Sequence, residues 1–333
     1  MKALLQSLMS GKTLSRAEAA FALDLMLEGK EAPECIGAFL AILRLRKETP
    51  AEIAGFAEAL LKRCVPFPDA GVEAIDTCGT GGDGAGTFNI STTVAFVVAG
   101  AGCPVAKHGN RSVSSRSGSA DVLEFLNVPL IQSPEAASRA LRETGFVFLF
   151  ATDYHPHLRQ VAAIRKNLGL RTTFNLLGPL VNPARVKRQV VGVFDEALLG
   201  TLAEVLGSLG AEEALVVRGE DGLDEISLCA PTQVAHWKSG RVTKSLMKPE
   251  DVGFACVPIE ALRGGDAQEN ARLLEGVLSG QVRGAKRDVV LLNAGAALWV
   301  AGKASDWKQG VALASQTIDS GKALAVLNRA RGA

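Results

Sequence analysis

Aromatic residues are scarce in this chain: 13 Phe, three Trp and a single Tyr among 333 residues. β-Sandwich strands draw heavily on aromatic and β-branched side chains, so this composition, together with 35 glycines, points to an α/β protein instead. An excess of charge is also missing, with 36 Lys+Arg against 35 Asp+Glu. That balance excludes a globally basic nucleic-acid coat and an acidic tail protein. The six cysteines (Cys35, Cys64, Cys78, Cys103, Cys229, Cys256) contain no C-x-x-C pair, and the four histidines (His108, His155, His157, His236) no H-E-x-x-H. Neither a disulfide framework nor a His/Cys metal site is expected, and a reducing cytoplasm fits these thiols. No apolar run nears the about 18 residues of a membrane span, and the first twenty positions are broken by polar ones, so no span and no signal peptide are expected.

What is present is ample apolar material: 47% hydrophobic against 21% charged residues excludes disorder, and the length suggests about two domains at roughly 150 residues each. Residues 1–66 read as three or four short helices. Ser15-Arg16-Ala17-Glu18 and Thr49-Pro50-Ala51-Glu52 are capping boxes, the second with Pro at the first helical position. Between them Ile36, Phe39, Leu40 and Leu43 recur at helical period. Val65-Pro66-Phe67-Pro68-Asp69 is a linker, after which short apolar strands alternate with glycine turns and helices. Strands are expected at 74–77, 104–107, 146–150, 189–194 and 214–218, and helices at 90–101, 119–126, 196–209 and 289–300. This alternation predicts a mostly parallel sheet flanked by helices, an α/β class with a smaller all-helical domain. Residues 156–168 form a further amphipathic helix.

The densest chemistry lies at the end of the first strand. Asp76-Thr77-Cys78-Gly79-Thr80-Gly81-Gly82-Asp83-Gly84-Ala85-Gly86-Thr87 leads into Asn89-Ile90-Ser91-Thr92-Thr93 and an apolar helix. Glycines let backbone approach a ligand, and hydroxyls beside a helix N-terminus favour anions, so this is a phosphate cradle in outline. It is not a P-loop, because no G-K-[ST] follows. Gly79, Gly81 and Gly84 satisfy G-x-G-x-x-G, yet no Asp or Glu stands between Asp83 and Asp121 to hold a ribose. A second loop, from Lys107 to Ser119, combines cations, hydroxyls and glycines after another strand. The plain alternatives are a joining turn for the first loop and a solvated Ser-rich loop for the second. Asp224-Glu225 is a third feature. Adjacent carboxylates suit Mg²⁺, which takes one or two protein carboxylates and completes its shell from phosphate and water, although such a pair alone also reads as a solvated turn.

In this wording and order, Asp76–Asp83, Asn89–Thr92, Lys107–Ser115, Gly118–Glu124, Asn175–Leu180 and Asp224-Glu225 closely resemble the anthranilate phosphoribosyltransferase family, over nearly the whole chain. The resemblance implies a nucleoside phosphorylase/phosphoribosyltransferase-like fold. Its helical domain would comprise 1–66 joined by about 155–185, and its α/β domain 67–154 with 186–333. It also implies a cytoplasmic homodimer that moves the ribosyl phosphate of phosphoribosyl diphosphate (PRPP) onto the amine of anthranilate in tryptophan biosynthesis, with Mg²⁺ and with no nucleic-acid or membrane partner. Carried over by position, PRPP would meet Gly79, Gly82, Asp83, Thr87, Asn89, Ile90, Ser91, Thr92, Lys107, His108, Gly109, Asn110, Arg111, Ser112, Val113, Ser114, Ser115 and Ser119. Anthranilate would meet Gly79, His108, Asn110, Arg165 and Gly178, and Mg²⁺ would meet Ser91, Asp224 and Glu225.

The chemistry asks for positioning and charge stabilisation rather than proton transfer, because the arylamine already carries its lone pair. No residue is therefore expected to act as a dedicated acid or base. Arg165 suits a carboxylate, whereas Asp153 beside an anionic acceptor would be unfavourable unless it points away. His155 and His157 read as structural, with a place for His155 beside the acceptor channel as the alternative. Three rivals differ in class: a nucleoside phosphorylase, a nicotinamide enzyme, and a nucleic-acid-binding relative, the last disfavoured by the net charge of +1 and the retained carboxylate pair.

Overall fold

The structure, a computed structural model, describes residues 1–112 and 117–332. Four helices open the chain: α1 (Lys2–Met9), α2 (Arg16–Leu27), α3 (Pro33–Arg46) and α4 (Pro50–Arg63). Their starts are locally encoded. Ser15 Oγ accepts from the Glu18 amide at 3.3 Å while Glu18 Oε2 accepts from the Ser15 amide at 2.8 Å, and Thr49 and Glu52 repeat the exchange at the same distances. Both expected capping boxes thus supply partners for amides that a helix start leaves unsatisfied. Ile36, Phe39, Leu40 and Leu43 on α3 are all buried.

The sheet begins with β1 (Ile75–Gly79), followed by α5 (Ile90–Gly100), β2 (Val105–Gly109), α6 (Ser119–Phe125), α7 (Pro134–Thr144) and β3 (Phe146–Phe150). The chain then returns to the helical side through α8 (Ala151–Tyr154), α9 (Arg159–Leu168) and α10 (Phe174–Leu177). It re-enters the sheet at β4 (Arg188–Gly192), α11 (Leu198–Ser208) and β5 (Glu213–Gly219), continues as the hairpin β6 (Thr232–Lys238) and β7 (Arg241–Met247), and ends in α12 (Ala267–Leu278), α13 (Ala285–Val300), α14 (Trp307–Asp319) and α15 (Lys322–Ala330). Strand order is β3-β2-β1-β4-β5-β6-β7, with β1 to β5 parallel and β6 and β7 antiparallel. The five expected strands are all present, β3 with the expected bounds and the others displaced at their ends by one or two residues.

Side chains alternate across this sheet as strand geometry requires. Val190, Leu215, Val217 and Val234 enter one core with α5, α12, α13 and α15. Their neighbours Val191, Ala214, Val216 and Ala235 enter a second core with α2, α3, α4, α10 and α11. The helical bundle is thereby packed on one sheet face, and the C-terminal helices cover the other. The hairpin was not expected from sequence. β7 is solvated along nearly all its length and lacks an apolar alternation, and the turn signal is only Ser239-Gly240, whose φ values of +51° and +78° are those of a tight two-residue hairpin turn. No described helix is long and apolar enough to cross a membrane.

Glu52 locks the bundle. It is fully buried and accepts hydrogen bonds from the Leu14 amide (2.8 Å), the Thr49 amide (2.8 Å) and Arg46 Nη2 (2.5 Å). Burial opposes its charge, but the bonds from Arg46, Leu14 and Thr49 prevail and hold its carboxyl below the usual range. A depressed carboxylate stabilises the fold above its unfolded pKa and loses that contribution as pH falls. Glu52→Gln should therefore cost about 3 kcal/mol at pH 7, as breaking a buried pair does, and less at pH 4. Chemical denaturation at the two pH values checks this, and an equal cost at both would contradict it.

Candidate active site

β1 has β2 on one side and β4 on the other, and the chain builds outward to β3 before crossing back to β4. Loops leaving β1 and β4 therefore diverge and open a crevice at the carboxyl ends of the strands, the usual ligand position in such sheets. The crevice is a cavity of about 370 Å³. Its floor is the glycine turn after β1 and the first turn of α5, one wall is the loop after β2, and the opposite wall is the Asp224-Glu225 loop.

Two glycines at the strand ends let that acidic loop in. A Cβ on Gly192 would overlap the Asp224 carbonyl, and one on Gly79 would stand 2.7 Å from Asp224 Oδ2. Asp224 Oδ2 accepts from the Gly81 amide at 2.7 Å, and Glu225 Oε1 accepts from the Ser91 amide at 3.2 Å. The Asp224 amide faces Asp83 Oδ2 at 3.4 Å. Burial and the neighbouring Asp83 and Glu225 push the Asp224 carboxyl well up. Burial likewise raises Glu225 to about 7, with Lys107 opposing and Asp83 adding to the rise.

Lys107, almost fully buried, donates to the Thr77 carbonyl and to Ser91 Oγ at 3.3 Å. Beneath it, buried Asp76 accepts from Asn182 Nδ2 at 2.8 Å and from the His108 amide at 3.4 Å. Lys107 faces Asp76 and Glu225 while the Arg171 guanidinium faces Asp83 and Asp224, so four carboxylates meet two cations and negative charge is under-compensated. The donors are hard oxygens, including the Ser91 hydroxyl. Among the described residues no three His, Cys, Asp or Glu groups close into a cage. Such a half-built oxygen site fits Mg²⁺ completed by phosphate oxygens.

Residues 71–324 match the glycosyl transferase family a/b domain, and residues 2–64 match the helical bundle domain of the same family. The anthranilate phosphoribosyltransferase of Symbiobacterium thermophilum is 51% identical over 99% of this chain and 97% of its own. The chain belongs to the anthranilate phosphoribosyltransferase family. Among solved structures, the enzyme from Thermus thermophilus superposes with a TM-score of 0.93 at 43% identity, covering 98% of both chains. That from Saccharomyces cerevisiae, in complex with PRPP and Mg, does so with a TM-score of 0.88 at 30% identity, covering 98% of this chain and 95% of its own.

The positions that the family resemblance named fall as follows. Those from Gly79 to Ser112, together with Ser119, Asp224 and Glu225, all border the cavity. Val113, Ser114 and Ser115 lie outside the described residues. Ile90 borders it while its side chain sits in the core. Arg111 borders it too, but its guanidinium pairs with Asp121 at 3.0 Å and Glu124 at 2.8 Å on α6. Arg165 and Gly178 are not in the cavity wall. The Gly178 carbonyl lies 2.9 Å from His108 Nδ1. Arg165 is half-buried on α9, 5.1 Å from the Phe174 ring centroid, with no carboxylate partner among the described residues. Asp153 is exposed on α8 and His157 is exposed.

Sequence reasoning missed Arg171 and Asn270, which also line the cavity. Asn270 Nδ2 donates to Asn89 Oδ1 at 2.9 Å and so fixes the start of α5. It is an asparagine within a helix, with no local signal. Arg171 had one, since it lies four residues before the Asn175 motif and shortly after a helix-ending glycine.

Behind the wall, His155 Nε2 meets the Val181 carbonyl at 2.9 Å, with its ring 5.3 Å from that of His108. Burial, and then His155, pushes His108 down to about 3, and burial pushes His155 down to about 4. Both pKa values lie below the unfolded value of about 6.5, so the stability tied to neutral histidine is complete above that pH and lost as pH falls. His155→Gln, which can keep a donor for Val181, should lose less melting temperature than wild type between pH 7 and pH 5. Parallel curves in a thermal-melt series would refute this.

Proposed function

We propose that this cavity performs the family reaction with the residues described above. The ribosyl 5-phosphate group passes from PRPP to the amine of anthranilate, giving N-(5-phosphoribosyl)anthranilate and diphosphate, in tryptophan biosynthesis. The observation that carries the assignment is the contact of Asp224 with Gly81 and of Glu225 with Ser91, which joins the acidic pair to the phosphate cradle. Gly79, Gly82, Asp83, Thr87, Asn89, Ile90, Ser91 and Thr92 form the donor floor. Lys107, His108, Gly109, Asn110, Arg111, Ser112 and Ser119 form its wall, and Val113, Ser114 and Ser115 are assigned to the donor by the family resemblance alone.

In the reaction the amine nitrogen forms a bond to C1 as the C1–oxygen bond to diphosphate breaks. The electron pair leaves with diphosphate, and the amine proton passes to solvent or product. Backbone amides at the α5 start and the Lys107 ammonium are suited to stabilise the leaving charge. Ser91, Asp224 and Glu225 would hold Mg²⁺, which would supply counter-charge for diphosphate. His108 donates from Nδ1 to Gly178, because a carbonyl only accepts, which leaves Nε2 as an acceptor for an amine N–H. A histidine held near pKa 3 is a weak base, so it orients the amine rather than deprotonating it. Gly79, Asn110 and Gly178 complete the acceptor side, with Arg165 directed to the anthranilate carboxylate. The complex of the yeast relative with PRPP and Mg supports the donor and metal reading.

Anthranilate fluorescence should fall when wild-type protein, PRPP and Mg²⁺ are mixed, and should persist with EDTA or with Asp224→Ala/Glu225→Ala. In the same assay Arg165→Ala should raise the KM for anthranilate by about 10- to 100-fold, the range for a charged hydrogen bond, with little change for PRPP. Unchanged fluorescence in folded wild type would overturn the acceptor, and equal effects on both KM values would overturn the Arg165 role.

We further propose that the chain divides into 1–66 with 155–185 and 67–154 with 186–333, and that it works as a homodimer in the cytoplasm with no nucleic-acid or membrane partner. Phe21 (57% exposed) and Leu45 (87% exposed) place apolar surface on the N-terminal helices that pairing of two copies would bury. Sedimentation velocity should give twice the chain mass, and a single chain mass at micromolar concentration would refute the dimer.

A further inference from the structure

Arg171 follows Gly169, the left-handed cap of α9, and precedes α10. Its Nη2 donates to the Gly81 carbonyl at 2.5 Å, and its guanidinium carbon lies 3.8 Å from the ring centroid of Phe194, two residues beyond β4. It also fills the space beside Gly82. The three nearest atoms to a Cβ built there all belong to Arg171 and would overlap it or crowd it. Gly81 and Gly82 are consecutive left-handed residues, at φ +70° and +79°. Two such glycines can adopt many conformations, so outside contacts must select one. Here the Gly81 residue is gripped on both sides, with its N–H on Asp224 Oδ2 at 2.7 Å and its carbonyl on Arg171. One grip comes from the acidic loop, and the other from the segment joining α9, which carries Arg165, to α10, which carries Asn175.

We propose that Arg171 is a positioning residue for the donor: it presets the Gly81-Gly82 turn to receive PRPP and ties that turn to the segment between α9 and α10. The donor site is then complete only while this segment is docked. Arg171 donates a charged hydrogen bond to a carbonyl, stacks its planar group on Phe194 and excludes any side chain at position 82. A lysine could supply the charge but neither the fork nor the stack. This inference rests on the reading of the cavity as a PRPP site.

The test is calorimetric titration of PRPP with Mg²⁺, in the absence of anthranilate, into wild type, Arg171→Ala, Arg171→Lys, Gly82→Ala and the Gly82→Ala/Arg171→Ala double variant, with KM and kcat measured alongside. Arg171→Ala should weaken PRPP by roughly 10- to 100-fold while the KM for anthranilate at saturating PRPP stays within about two-fold, and Arg171→Lys should recover only part of the loss. The cycle is the sharper readout. A Cβ at position 82 meets the guanidinium in wild type but open space in Arg171→Ala, whereas the left-handed φ is common to both. Gly82→Ala should therefore cost at least about ten-fold more PRPP affinity in the wild-type background than in Arg171→Ala. Additive losses, or equal changes in kcat and both KM values, would overturn the clamp. So would wild-type affinity in Arg171→Ala, which would leave the cavity's identity intact; wild-type protein that fails to bind PRPP would overturn the underlying reading instead. Should Arg171→Ala fail to fold, Arg171→Lys decides, with full wild-type affinity overturning the proposal.

Discussion

The site depends on one approach: the Asp224-Glu225 loop settling onto the carboxyl ends of β1 and β4. Only glycine at 79 and 192 leaves room for it. Once there, Asp224 takes the Gly81 amide and Glu225 the Ser91 amide, so a single loop orients both the glycine turn and the helix start of the proposed phosphate cradle. Parallel strand order creates the crevice, and the missing side chains let it be lined with charge.

That lining is out of balance. Asp83, Asp224 and Glu225 gather with buried Asp76 around only Lys107 and Arg171, and burial raises the Asp224 and Glu225 carboxyls. A cluster of this kind is costly without a cation and is satisfied by one. The opposite wall carries the neutral His108, whose proton is committed to Gly178. The charged groups and the neutral His108 thus share one cavity, which suits the proposed reaction, whose barrier lies in charge separation more than in proton transfer.

Helical and α/β parts meet through the sheet itself. Alternate residues of β4, β5 and β6 belong to different cores, and one of these cores contains the N-terminal bundle. The α9–α10 segment is therefore anchored by apolar packing on one side and by Arg171 on the glycine turn on the other, which brings Arg165 into a fixed relation with that turn.

Much of this was legible in the residues alone. Helix starts at Ser15 and Thr49, the apolar face of α3, the five parallel strands and the glycine-hydroxyl cradle all follow from signals within a few positions, because caps, turns and periodicity act through near neighbours. The antiparallel hairpin escaped notice because β7 is solvated and carries no apolar alternation. What only the tertiary structure decided is which distant groups meet: Asp224 with Gly81 across 143 residues, Asn270 with Asn89 across 181, Arg171 with Gly81 across 90, and the proton-bearing nitrogen of His108 through Gly178. An aspartate, an asparagine or an arginine has the same local surroundings in sequence whether or not the fold closes it onto a partner, so chemistry that arises from convergence is written in the packing of the chain and not in any stretch of it.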